Sequence, residues 1–157
     1  MTRRLIHCIL LCALLCAPGA CFAADSRDQK NMGAGIVIGS PVGITGKYWL
    51  SRENAIDGVF SVLGSNEIYL HADYLWHDYR AFPEPEEGKL PLYYGVGGSF
   101  TSDGDVSVRV PVGIAYMFEG YPFDVFLELA PVITFFHDEG FGLRGGIGAR
   151  YYFEGGY

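Results

Sequence analysis

His71-Ala72-Asp73 sets an imidazole and a carboxylate two residues apart, a spacing that puts both on one face of a β-strand. Such a pair supplies only two metal ligands, so a metal centre would need more from other segments. His137-Asp138-Glu139 is a second acid–base cluster, the kind of grouping a lipid-modifying hydrolase uses. It falls in a short turn, however, where charges are ordinarily solvated, and no Gly-x-Ser-x-Gly nucleophile elbow accompanies it. Gly145-Gly146-x-Gly148 reads as the inside of a strand with no helix after it, which is not a phosphate-cradling loop. The only cysteines, Cys8, Cys12, Cys16 and Cys21, lie within the first 23 residues. These features predict no catalytic residue, no cofactor and no metal, and hence a protein that is not an enzyme.

The remaining chemistry is a set of charges at alternating positions: Lys47, Asp57, His71, Asp73, Arg109, Asp124, Glu128, Arg144 and Arg150. Four bases and four acids of this set could nearly neutralise one another. They are expected to form an ion-pair network that fills a narrow polar interior. An unpaired buried ion costs about 3–5 kcal/mol, so a partner for each is the natural expectation.

The elements that would hold these charges follow from patterning. Residues 1–23 read as a secretory signal: Arg3 and Arg4, then an apolar stretch, then Cys21-Phe22-Ala23 as a small-x-small cleavage site. The apolar stretch is too short for a membrane helix. Pro18 stands where a lipoprotein signal would carry a bulky aliphatic, which argues against acylation of Cys21. Removing this signal takes every thiol, excluding disulfides and cysteine chemistry, and makes the rest more acidic than the formal −7 of the whole chain. That balance argues against nucleic-acid binding. Residues 24–32 form a short N-terminal segment, 33–153 one domain, and 154–157 a C-terminal extension.

Eight segments of that domain alternate with period two between turn residues. They run over Gly33–Ser40, Ile44–Ser51, Ala55–Leu63, Glu67–His77, Pro91–Phe100, Val106–Phe118, Phe123–Phe136 and Phe141–Phe153. Asp78–Lys89, with Pro83-Glu84-Pro85-Glu86-Glu87, is expected to be an extended, solvated connection. One face of each strand is crowded with Leu, Ile, Val and aromatics; the other carries the charges with Gly, Ala and Ser. A soluble barrel would have to pack the bulky faces inside and expose bare glycine. Inverted, with large apolar residues toward lipid, the volumes fit. Tyr48, Trp49, Trp76, Tyr93, Tyr94, Tyr116, Phe118, Phe123, Tyr151, Tyr152 and Phe153 would then gather at the end holding the termini, as an interfacial girdle. Phe60, Phe100, Phe135, Phe136 and Phe141 would mark the other end.

Six stretches carry a resemblance. Gly39-Ser40-Pro41-Val42-Gly43 with Gly46-Lys47-Tyr48-Trp49-Leu50 resembles an opening hairpin. His71–His77, Leu90–Gly95 and Arg109–Gly113 resemble the middle, and Gly146–Phe153 the end. The family is a group of small, functionally uncharacterised bacterial outer-membrane barrels, similar in architecture to the OmpA transmembrane domain and OmpX. The resemblance implies an all-β, eight-stranded antiparallel up-and-down transmembrane β-barrel in the outer membrane. Its partners would be outer-membrane lipids and, during insertion, the outer-membrane assembly machinery. The expected role is structural, with small-ligand binding or ion transport as the alternative.

Overall fold

The computed structural model describes residues 31–62, 67–135 and 140–153. Among these the strands are β1 Met32–Ser40, β2 Gly43–Trp49, β3 Asn54–Val62, β4 Ile68–Asp78, β5 Leu92–Thr101, β6 Val106–Arg109, β7 Val112–Met117, β8 Phe123–Phe135 and β9 Gly140–Phe153. Every pairing is antiparallel between neighbours, and β1 pairs with both β2 and β9, which closes the sheet. β6 and β7 occupy one place in the wall, since both pair with β5 on one side and β8 on the other. The result is a closed, eight-stranded antiparallel barrel.

The sixth segment, expected to be unbroken, is thus divided at residues 110–111. Three prolines meet at this part of the wall. Gly95 N–H donates to the Pro111 carbonyl, Val110 N–H to Pro131 and Ala115 N–H to Pro91, at 2.9, 3.1 and 3.1 Å. In each pair the proline has no N–H to return, so the ladder is one bond short. Parity survives the break: Val108, Val110 and Val112 are exposed while Arg109, Pro111 and Gly113 are buried.

Inward space is created by glycine. Gly33 stands opposite Tyr152, Gly97 opposite Asp73, Gly113 opposite Tyr93 and Gly148 opposite Phe126. A Cβ at Gly113 would fall 2.4 Å from the Tyr93 ring, and one at Gly148 2.4 Å from the Phe126 ring. The interior is therefore not small residues and charges alone, as patterning suggests. Each of these large inward side chains lies over a glycine on the next strand, and neither could be enlarged without displacing the other.

Three aromatics of the expected girdle also turn inward. Trp49, Tyr93 and Tyr152 are buried, whereas Tyr48, Trp76, Tyr94, Tyr151 and Phe153 are exposed. Trp49 and Tyr152 pack with Ala55 and Met117 to close the barrel at the end near residue 153. The outer surface is apolar on every strand, from Ile36 at 61% exposure on β1 to Leu127 at 50% on β8 and Ile147 at 53% on β9.

The connection after β4 is largely exposed, as expected, but it is not a free extended arm. Lys89 bridges to Met117, the Tyr116 hydroxyl donates to the Glu87 carbonyl at 2.8 Å, and Lys89 Nζ lies 5.9 Å from the Tyr79 ring centre. Burial and nearby Glu53 push the Tyr79 hydroxyl up to about 12. The expected signal at 1–23, most of the expected 24–32 segment, the 154–157 extension, Leu63–Asn66 and Phe136-His137-Asp138-Glu139 lie outside the described residues.

Candidate functional site

One lateral row of inward positions carries most of the charge. Lys47 on β2 pairs with Asp57 on β3, Asp57 with Asp73 on β4, Asp73 with Gly97 on β5, and Gly97 with Arg109 on β6. Gly97 is the gap in this row. A Cβ there would meet Asp73 Oδ1 and the Ala72 carbonyl, so only glycine leaves room for the Asp73 carboxylate, which Arg109 contacts from the far side of β5. Lys47, Asp57, His71, Asp73, Arg109, Asp124, Glu128 and Arg150 are all buried.

Two networks result. Arg109 Nε lies 3.1 Å from Asp73 Oδ2, its Nη2 donates to Glu128 Oε1, and its Nη1 reaches the Tyr69 hydroxyl at 3.3 Å and His71 Nδ1. The Tyr93 hydroxyl donates to the other oxygen of Glu128 at 3.1 Å. This network joins β4, β5, β6 and β8. In the second, Arg150 donates from Nε to Asp124 at 3.3 Å and from Nη1 to Asp57 at 3.1 Å, while the Tyr152 hydroxyl donates to Asp124. It joins β9 to β8 and, across the lumen, to β3. The Arg150 guanidinium also lies 3.9 Å from the Phe126 ring centre.

Lys47 belongs to the closed end. Its Nζ donates to His77 Nε2 at 2.8 Å, and His77 Nδ1 donates to the Glu53 carbonyl at 3.1 Å. The ammonium sits 4.3 Å from the Trp49 ring centre and 5.5 Å from that of Tyr93, so aromatic faces replace a direct carboxylate partner.

Arg144 departs from the expected network. It has the inward parity but is only half-buried, and its guanidinium lies 4.6 Å from the ring centre of Tyr69, on the opposite wall. It lines a mouth vestibule of about 350 Å³ together with Ser40, Ser61, Glu67, Tyr69 and Thr101. Periodicity gives a residue's face but not its height in the barrel, which depends on strand register. Nor does it single out the hydroxyl partners Tyr69, Tyr93 and Tyr152, although Tyr69 and Tyr152 share parity with His71 and Arg150.

Asp57, His71 and Asp73 present donor atoms within 4.8 Å of one another. They do not suit a histidine-ligated metal. Arg109 donates to His71 Nδ1, which leaves Nε2 as the protonated nitrogen of the neutral ring, facing Asp73 Oδ2 at 3.6 Å. A metal at Nε2 would need that lone pair, and moving the proton to Nδ1 would set it against the Arg109 N–H. What the interior does chemically is fix charges across the lumen and tie opposite walls together. No family model, curated protein or solved structure matches the chain, so its chemistry is read from this geometry alone.

Proposed function

We propose that the chain is a transmembrane barrel of the bacterial outer membrane, with a structural, non-enzymatic role. The observation that carries this reading is the inverted partition of side chains. Large apolar residues are exposed on every strand, while eight charged or imidazole groups of the expected set are buried inside. Water gives no reason for that arrangement, because a monomer rarely exposes a continuous apolar patch of more than a few hundred Å². Hydrocarbon does, since a closed barrel satisfies its backbone internally and meets lipid with its outer face. The exposed aromatics near the termini, among them Tyr48, Trp76, Tyr94, Tyr151 and Phe153, suit the headgroup boundary. The architecture is that of the small OmpA- and OmpX-like barrels, and its partners are outer-membrane lipids, with the outer-membrane assembly machinery acting at insertion.

The protein is expected to fractionate with outer membranes, resist extraction by alkaline carbonate, and migrate differently before and after boiling. Recovery of most of it as soluble periplasmic protein without detergent would defeat the reading. The mouth vestibule favours a second reading, a small-ligand barrel. Stable unit conductance in planar bilayers would separate a transport barrel from both, because the packed interior predicts none.

A further inference from the structure

Three prolines leave the wall short of backbone bonds at one place. In an antiparallel ladder, the two residues of a hydrogen-bonded pair exchange both N–H···O=C bonds. Gly95 faces Pro111 in the register set by Tyr94 with Val112 and Gly97 with Arg109. It gives its N–H to the Pro111 carbonyl and receives none in return. Val110 against Pro131 and Ala115 against Pro91 repeat the arrangement. The carbonyls of Gly95, Val110 and Ala115 thus receive no N–H from the residue they face, in two adjoining ladders. The β1–β9 ladder, by contrast, runs through nine register pairs without a proline.

Buried side chains bracket the Gly95–Pro111 pair from inside. On one side of it, Tyr93 faces Gly113 on β7, and Gly113 faces Glu128 on β8. The Tyr93 ring lies over Gly113 and its hydroxyl donates to Glu128 Oε2 at 3.1 Å, so β5 is bonded to β8 across β7. On the other side, Gly97 faces Arg109 on β6. Arg109 Nε lies 3.1 Å from Asp73 Oδ2, so β6 is tied to β4 across β5. Each crossing passes an inward glycine, and each skips a strand, which a ladder bond cannot do. Tyr93 carries no charge for the interior to neutralise, so its bond to Glu128 has a mechanical part to play.

We propose that β5, the broken β6–β7 strand and β8 form a seam along which the wall opens locally while the other ladders stay paired. Tyr93 to Glu128 and Arg109 to Asp73 are its two latches, and they hold from the lumen what the prolines leave unbonded in the wall. The seam follows from the pairing of the wall itself and does not rest on which solvent surrounds the barrel.

The test is amide hydrogen exchange, read residue by residue by NMR on the folded barrel in detergent micelles, because exchange of a bonded amide reports local opening. The Gly95, Val110 and Ala115 amides are expected to exchange about tenfold faster than bonded amides at matching heights in the β1–β9 ladder. Tyr93→Phe, which keeps the ring and removes the hydroxyl, is expected to speed these three by about tenfold more and leave β1–β9 unchanged. Tyr152→Phe removes the same group from the Arg150 network and is expected to leave the seam as it was. Pro111→Ala returns an N–H to the Gly95 carbonyl and is expected to slow exchange at Gly95, in the wild type and in Tyr93→Phe alike. Seam amides as protected as those of β1–β9 would overturn the proposal. So would a Tyr93→Phe effect spread equally over every ladder, which is global unfolding, or an equal response of the seam to Tyr152→Phe.

Discussion

Arg109 is the side chain on which the interior depends most. It contacts Asp73, Glu128, Tyr69 and His71 from one guanidinium that is 2% exposed. Arg109→Met therefore leaves two carboxylates buried without their cation, and the expected loss of stability is about 3–5 kcal/mol. Glu128→Met is expected to cost less, because Arg109 keeps Asp73. The double variant should recover part of the Arg109→Met loss, giving a non-zero coupling energy. Urea unfolding in micelles measures all three. A single-variant loss of about 0–1 kcal/mol, the range of exposed ion pairs, would mean that these charges are solvated. At this scale the sequence is legible as far as parity goes. Alternation assigns Lys47, Asp57, Asp73, Arg109 and Glu128 to one face, but it does not reveal that Arg144 ends at the mouth or that Lys47 meets His77 and Trp49. Those outcomes follow from strand register, which alternation leaves open.

At the scale of elements, the pairing of an inward glycine with a large inward side chain is the rule that makes this interior fit. Gly113→Val would drive side-chain atoms into the Tyr93 ring at 2.4 Å and the Leu127 carbonyl at 2.4 Å. Overpacking of a dense interior costs about 1–3 kcal/mol and more where backbone blocks relief, so this variant is expected to lose stability or fail to fold. Gly46→Val, on the outer face with its nearest atom at 3.9 Å, is expected to fold normally. Heat-dependent gel migration distinguishes the two, and equal behaviour would contradict the assigned faces. Turn residues such as Ser40-Pro41 and Asp103-Gly104 mark the strand ends to within a residue or two. The break at Pro111 is not legible, because the Val108, Val110, Val112 alternation continues through it unchanged. The inward turn of Trp49 and Tyr93 escapes the girdle pattern for a related reason: aromatic type and end of strand define a girdle, while face decides whether a ring joins it.

For the whole molecule, closure and the inverted partition belong together. β1 paired with β9 removes every free sheet edge, so the wall meets its surroundings only through side chains. Opposite walls are tied inside by Arg150 to Asp57 and by Arg144 over Tyr69. An even number of neighbouring strands lets the first and last pair antiparallel but does not require it, and the volume contrast between faces points to which face is outward. The central claim is that this outward face meets lipid. All four cysteines lie within the first 23 residues, so in protein lacking residues 1–23 single cysteines introduced in β8 can be labelled without background. The most direct measurement places an environment-sensitive fluorophore at Leu127→Cys, Leu129→Cys and Ile133→Cys, and at Ala130→Cys and Val132→Cys, in vesicles containing lipid-phase quenchers. A lipid-facing wall predicts strong quenching at 127, 129 and 133 and weak quenching or no labelling at 130 and 132. Quenching of the first three by aqueous iodide instead, with none from the lipid phase, would contradict it.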